Sequence, residues 1–271
     1  MNEIAAAYLS QRTVSDLYAK TLCHVANEMG KAGITPKTIN GERLNRWLTS
    51  LSCSDGTIAN KRRMALTLWR WAFESSLTDS APRGVLRVRV RRKPTEAWTR
   101  DQCSRLVKSV DSFSGTMRKG CSRAEFWGCF FRAAYETGLR FSDLHGLDRS
   151  ALGEGCIFLT MNKTGRPIVR PISRDLEARL IGLAGKSKTS KVFAYFLNRK
   201  NTFKSARVIL DGAGAGGSLR YFRRSGATHC EIERAGSAQQ YLGHATPGLA
   251  ARHYIDHRQM AGTMVCPPAL G

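Results

Sequence analysis

Four segments of this chain carry cationic side chains, and the last of them ends on a tyrosine. They are Thr137-Gly138-Leu139-Arg140-Phe141-Ser142-Asp143-Leu144, then Asn162-Lys163-Thr164-Gly165, then Phe222-Arg223-Arg224-Ser225-Gly226-Ala227-Thr228-His229, and finally Leu242-Gly243-His244 running on to Arg252-His253-Tyr254. These residue types suit attack on a phosphodiester. Negative charge builds during that reaction, and two guanidiniums, here Arg140 and Arg223, can hold both non-bridging oxygens while it does. A phenolic oxygen in such cationic surroundings is activated as a nucleophile, which singles out Tyr254. Arg140 follows a Gly-Leu turn at a helix end, from which a side chain can project, and Asp143 one turn later is placed to orient it. Taken singly, each residue reads as an ordinary surface group; four segments in one order carry the argument.

In this order the segments resemble the catalytic domain of the tyrosine recombinases, or phage-type integrases, over roughly residues 97–257. The helical front segment resembles that family's core-binding domain more loosely. The resemblance implies a site-specific DNA recombinase or integrase that cleaves and rejoins duplex DNA through a 3'-phosphotyrosine. Tyr254 would attack phosphorus and expel a 5' hydroxyl, and attack by that hydroxyl or another strand's would reverse the step. Bond energy is conserved, so neither metal nor ATP is required and no cofactor is expected. The resemblance also implies that Lys163 protonates the departing 5' oxygen and that His244 donates a hydrogen bond to the phosphate. Duplex DNA and further copies of the chain, as a tetramer in synapsis, are the expected partners. A phage- or mobile-element-encoded protein fits these properties. Tyr241 is a rival phenol, but it precedes the Leu-Gly-His segment and reads as core.

The second arginine motif departs from the family's usual His-x-Leu-Arg. Aligning Leu219-Arg220 puts Gly217 where the histidine belongs and sets bulky Phe222 and Arg223 where small residues are wanted. Aligning Phe222-Arg223 accommodates Ser225 to His229 and puts Arg220 at the histidine position; this register is preferred. Either way the histidine is absent. An arginine there can donate to phosphate but cannot act as a base near neutral pH. Tyr254 also follows His244 by ten residues, about one more than in many relatives. Two other readings therefore stay open: a type IB-like DNA topoisomerase acting without synapsis, and a catalytically weak relative that only binds DNA.

The elements that must position these groups read as a mainly α fold with a small β-hairpin or sheet. Residues 1–80 are expected to form a helical core-binding (SAM-like) domain, 81–96 a basic interdomain linker, and 97–271 an α+β catalytic domain. Leu17, Leu22, Val25 and Met29 mark a helix from Val14 to about Gly30, capped by Thr13 or Ser15. Leu44, Trp47, Leu48 and Leu51 mark a second. A third, starting at Ser54 or Asp55, carries Ile58, Ala65, Leu68, Trp69, Ala72 and Phe73 inward and turns Lys61, Arg62 and Arg63 to solvent or DNA. The linker lies between Pro82 and Pro94, and its Arg91, Arg92 and Lys93 can lie against phosphates. Thr99 to Gln102 has helix-cap chemistry, and an apolar helix runs from Phe126 to Gly138. Cys156 to Thr160 and Pro167 to Ile172 read as strands flanking the Lys163 turn. Helices return from Ser218, and one starting at Thr246-Pro247-Gly248 ends near Tyr254.

Composition agrees with a polyanionic partner. Among 271 residues, 43 Lys and Arg face 21 Asp and Glu, a formal net charge of +22. Such a surface attracts phosphates regardless of base sequence. Charge alone also suits an anionic membrane or ribosomal RNA, and the motifs decide for DNA. The eight cysteines include no C-x-x-C pair, so a structural metal is not expected. With no basic start before an apolar stretch and no apolar run of about 18 residues, the chain is expected to be soluble, cytoplasmic and nucleoid-associated. The front segment is too short for an additional arm-binding domain, so binding to the core site alone is expected. Duplex binding should weaken roughly a thousandfold between about 50 and 200 mM salt if about six phosphates are contacted. Fluorescence anisotropy across a salt series checks this, and a flat response would contradict it.

Overall fold

Small polar residues set where the front helices begin. In the computed structural model, which describes residues 1–91, 93–117, 120–194, 199–243, 246, 248–260 and 263, a first helix α1 (Asn2–Ser10) precedes three others. These are α2 (Asp16–Lys31), α3 (Gly41–Ser50) and α4 (Asp55–Glu74). Ser15, Asn40 and Ser54 cap them, each side chain accepting a backbone N–H from the first turn. The chain divides into two units, Met1–Lys93 and Pro94–Gly271.

The core of the first unit gathers Leu22, Val25, Met29, Leu44, Trp47, Leu48, Ala65, Leu68 and Trp69, as the periodicity predicts, together with Ile4, Ala5 and Tyr8 of α1. Three expectations are corrected. Leu17 is 76% exposed and Phe73 41% exposed, while Met64 and Trp71 are buried instead. The inward stripe of α4 is thus rotated toward the side of Met64 and Trp71, and Phe73 falls off its edge. The same rotation corrects Lys61, which lies on the stripe with Ala65, Leu68 and Ala72 at helical spacing. Its ammonium meets Glu28 at 2.7 Å, with the lysine side chain only 15% exposed. A cation turned inward needs such a partner.

Arg62 is likewise engaged, donating to the carbonyls of Leu86 at 2.7 Å and Val85 at 3.1 Å. Asn45 donates to Gly84 and accepts from Leu86, and the Trp69 indole donates to Ser80. The segment from Ser80 to Leu86 is therefore fastened to the helices of the first unit.

In the second unit, α5 (Arg100–Ser109) opens with a capping box between Thr99 and Gln102. Helix α6 (Arg123–Thr137) buries Phe126, Trp127, Phe130 and Phe131 and supplies the centre of the core. After α7 (Phe141–His145) come strands β1 (Leu152–Gly153), β2 (Cys156–Thr160) and β3 (Pro167–Pro171). They form an antiparallel sheet in that order, with Thr160 opposite Pro167 and Ile157 opposite Arg170. Helices α8 (Arg174–Gly185), α9 (Arg199–Gly212), α10 (Arg220–Glu233), α11 (Ser237–Leu242) and α12 (Leu249–His253) complete the described chain. The fold is mainly α with one small sheet. No described helix is long and apolar enough to cross a membrane.

Two glycines of the motif segments make room for one aromatic ring. The Tyr241 hydroxyl donates to the Tyr135 carbonyl at 2.5 Å. A Cβ at Gly138 would stand 2.6 Å from the Tyr241 ring, and one at Gly226 would meet the Tyr241 hydroxyl and come within 2.8 Å of the Tyr135 carbonyl oxygen. That carbonyl belongs to a helix and cannot step aside. Gly226→Ala should therefore destabilise the protein by about 1–3 kcal/mol, whereas Gly182→Ala, whose Cβ meets nothing, should be neutral or slightly stabilising. Urea midpoints measure both, and equal midpoints would contradict the packing.

Candidate active site

The first motif segment is a reversal built by side chain and backbone together. Thr137 Oγ1 donates to the Ala133 carbonyl at 2.5 Å and accepts the Leu139 N–H at 3.2 Å. Gly138, at φ 58°, takes the left-handed conformation that ends α6. Leu139 is buried, which leaves Arg140 half-buried as the N-cap residue of α7. The Arg140 Nη1 lies 3.4 Å from the Met161 sulfur at the base of the hairpin. Asp143 does not pair with Arg140, contrary to expectation; its Oδ1 accepts the Asn162 N–H at 2.9 Å. Asp143 therefore braces the hairpin that carries Lys163, and Asn162 returns a side-chain bond to the Ser142 carbonyl.

Arg223, on α10, is only 7% exposed. Its Nη1 donates to the Gly138 carbonyl and its Nη2 to the Leu242 carbonyl, the latter at 3.1 Å. One guanidinium thus joins the first motif turn to the end of α11. Burial lowers its pKa, and the charge of Arg140 lowers it further, while Tyr254 and Tyr241 oppose both. An arginine starts so far above neutrality that it stays charged. The Tyr254 ring lies over it, 5.2 Å from ring centroid to guanidinium carbon, within cation–π range. Tyr254 is the half-buried residue that ends α12. Tyr241 differs in kind: burial pushes its phenol upward, and its proton is committed to a backbone carbonyl.

Solved structures reproduce this arrangement of elements at low sequence identity. A lambda integrase (residues 75–356) dimer bound to a COC' core site superposes with a TM-score of 0.77 at 14% identity, covering 100% of this chain and 99% of that one. The XerH site-specific recombinase bound to palindromic difH substrate gives 0.73 at 18% identity, covering 91% and 79%. The Tn1549 transposon integrase (residues 82–397) in complex with circular intermediate DNA gives 0.71 at 13% identity, covering 93% and 94%. The chain has the tyrosine-recombinase fold. No protein-family model matches it, and no curated protein matches it in sequence.

Within this recombinase fold the remaining expected groups lie as follows. Arg220 is exposed at the first residue of α10, one turn before Arg223, so Arg223 and not Arg220 is the arginine set against Tyr254. Lys163 is exposed in the turn between β2 and β3. His244, Arg92 and the tail from residue 264 lie outside the described residues. Arg63 is exposed, with Asn60 as a neighbour on its own helix, and Arg91 and Lys93 are exposed.

Sequence reading missed Arg170. It lies on β3 facing inward between Ile168 and Ile172, donates through Nη1 to the Val169 carbonyl, and fills the space that a side chain at Gly243 would need. A cation at an inward-facing strand position was the available signal. Removing the Arg223 bridge with Arg223→Met should cost about 1–3 kcal/mol for each carbonyl left without its donor. The surface change Arg220→Met should stay within about 0.5 kcal/mol. Equal losses in thermal melts would exclude the bridging role.

Proposed function

We propose that the chain is a site-specific DNA recombinase or integrase that cleaves and rejoins duplex DNA through a 3'-phosphotyrosine at Tyr254. The observation that carries this reading is the Tyr254 ring over the buried guanidinium of Arg223, 5.2 Å from ring centroid to guanidinium carbon, with Arg140 placed so that its charge helps lower the pKa of that guanidinium. A scissile phosphate placed there has its negative charge offset by both guanidiniums. The Tyr254 hydroxyl gives its proton to solvent water as its oxygen attacks phosphorus, a P–O bond to the tyrosine forms, and the bond to the 5' oxygen breaks. Lys163, brought over on its hairpin, supplies the proton that the 5' oxygen takes up. His244 donates a hydrogen bond to the phosphate, and Arg220 donates from the place the family gives to histidine. Attack of a 5' hydroxyl on the phosphotyrosine restores the backbone, so the bond energy is kept and neither ATP nor a metal is required.

In this reading residues 1–80 act as the core-binding domain, 81–96 as the basic linker and 97–271 as the catalytic domain, while the chain divides into the units Met1–Lys93 and Pro94–Gly271. Arg63, Arg91 and Lys93 serve phosphate contacts, and the protein works in the DNA-associated part of the cytoplasm. Lambda integrase forms a dimer on a core site and a tetramer on a Holliday junction, which supports a tetramer of this chain holding two duplexes.

The test needs no known target. A pool of duplexes carrying a nick and a randomised core is incubated with the protein, and DNA that stays attached through SDS is recovered and sequenced. Wild type should enrich a defined sequence. Tyr254→Phe should yield no attached DNA, and Tyr241→Phe should still yield it. Attachment that survives Tyr254→Phe would overturn the assignment. Relaxation of plasmids that lack the enriched sequence would favour the topoisomerase reading, and binding without attachment would favour a binding-only protein.

A further inference from the structure

Tyr254 leaves α12 with φ −128° and ψ −22°, outside the helical conformation, so the helix alone does not set the direction of its phenol. The anchor comes from α10. Thr228, fully buried five residues beyond Arg223, donates through Oγ1 to the Tyr254 carbonyl at 3.3 Å and accepts the Asp256 N–H at 3.0 Å. One hydroxyl thus grips the chain on both sides of Ile255, which is itself buried.

Three other helical threonines use the hydroxyl differently. Thr21, Thr67 and Thr137 each donate to the carbonyl four residues back on their own helix, the usual local bond. Thr228 instead spends its proton on a segment 26 residues away.

Asp256 completes the hold. It is 2% exposed, and its carboxylate accepts the Ala97 N–H at 3.1 Å and the Arg258 guanidinium at 3.2 Å on each oxygen. The donors from Arg258 and the Ala97 backbone outweigh burial and hold this carboxyl below its ordinary range. Gln259 closes the loop by donating to the Ala97 carbonyl at 2.8 Å. The chain just past the tyrosine is therefore tied to α10 and to the strand of backbone that leads into α5.

We propose that Thr228 is a positioning residue which, with Asp256, sets the Tyr254 ring against Arg223, so that one helix carries both the guanidinium and the anchor of the nucleophile. The two positions on α10 are about 7.5 Å apart along the axis at the ordinary helical rise. This spacing cannot stretch unless α10 breaks. The proposal rests on the reading of Tyr254 as the nucleophile. A reacting atom displaced by about 1 Å loses on the order of a hundredfold in rate, so loss of the hydroxyl should be felt in chemistry and not in DNA affinity.

The experiment compares Thr228→Val, which keeps shape and loses the hydroxyl, with Thr228→Ser, which keeps the hydroxyl. A nicked duplex of the sequence enriched by covalent capture is the probe. Affinity is read by anisotropy, and the rate of SDS-stable adduct formation is read at saturating protein. Thr228→Val should bind with unchanged affinity and form adduct at least about tenfold more slowly, while Thr228→Ser should stay within about twofold of wild type. Should Thr228→Val fail to fold, Asp256→Asn carries the same comparison, with unchanged affinity and slowed adduct expected. A wild-type adduct rate in the folded variant would overturn the positioning role and leave the recombinase reading intact. Equal loss of affinity and rate in both the valine and serine variants would also overturn it, marking Thr228 as core alone. Absence of adduct from wild type itself would bring down the recombinase reading, and this proposal with it.

Discussion

The second unit is organised around a buried positive charge that bonds to two carbonyls far apart in sequence. Arg223 reaches Gly138 at the end of α6 and Leu242 at the end of α11. A guanidinium at this depth is tolerated only when hydrogen bonds offset its desolvation, so the two helix ends must be where Arg223 can reach them. Both are C-terminal ends, whose last carbonyls lack partners within their own helices and carry partial negative charge. The arginine satisfies that deficit twice over. A lysine, with its single nitrogen, could not span both carbonyls at once in a fixed plane.

The same geometry accounts for residues that otherwise look like motif ornament. Gly138 supplies the left-handed turn, exposes its carbonyl to Arg223, and leaves room for the Tyr241 ring. Gly226, on the helix that carries Arg223, makes room for the hydroxyl end of the same ring. Tyr241 is therefore a structural phenol, wedged between two glycines with its proton on a carbonyl, while Tyr254 is held by its backbone and keeps its ring over a cation. Two tyrosines 13 residues apart in sequence thus sit in different surroundings.

Where a feature depends on neighbours along the chain, it was legible before the fold was known. The hairpin around Lys163, the caps at Ser15, Ser54 and Thr99, and the glycine stop after α6 all lie where turn and cap chemistry puts them. Features that depend on a partner from elsewhere were not. Lys61 reads as a surface cation until α2 brings Glu28 against it. Asp143 reads as a partner for Arg140 until the hairpin presents the Asn162 N–H. Phe73 and Leu17 show a milder form of the problem, because periodicity identifies a stripe but tertiary contact chooses its centre. The candidate site residues were nominated as a set from their order along the chain, and of these the structure sets Arg223 against Tyr254. Thr228 lies inside the third segment, where order along the chain gave it no role of its own, and Asp256 lies outside all four segments.

The departure at the histidine position bears on how the proposed chemistry divides. Charge neutralisation by Arg140 and Arg223 moves no proton, so it is indifferent to whether an imidazole stands nearby. Proton transfer is the separate part, typically worth about 10²–10⁴-fold in rate, and an arginine in the histidine's place contributes nothing to it. Arg220 is exposed on the first turn of α10, in front of Arg223 on the same helix, so its contribution under this mechanism is a further positive charge near the entering phosphate. The proposed site thus leans on electrostatics more heavily than the family pattern does, and the burden of proton delivery falls on the hairpin lysine. That hairpin is tied to the Arg140 turn through Met161, Asn162 and Asp143. Under the proposed mechanism, the groups that would receive the phosphate and deliver the proton are thus joined by short local contacts.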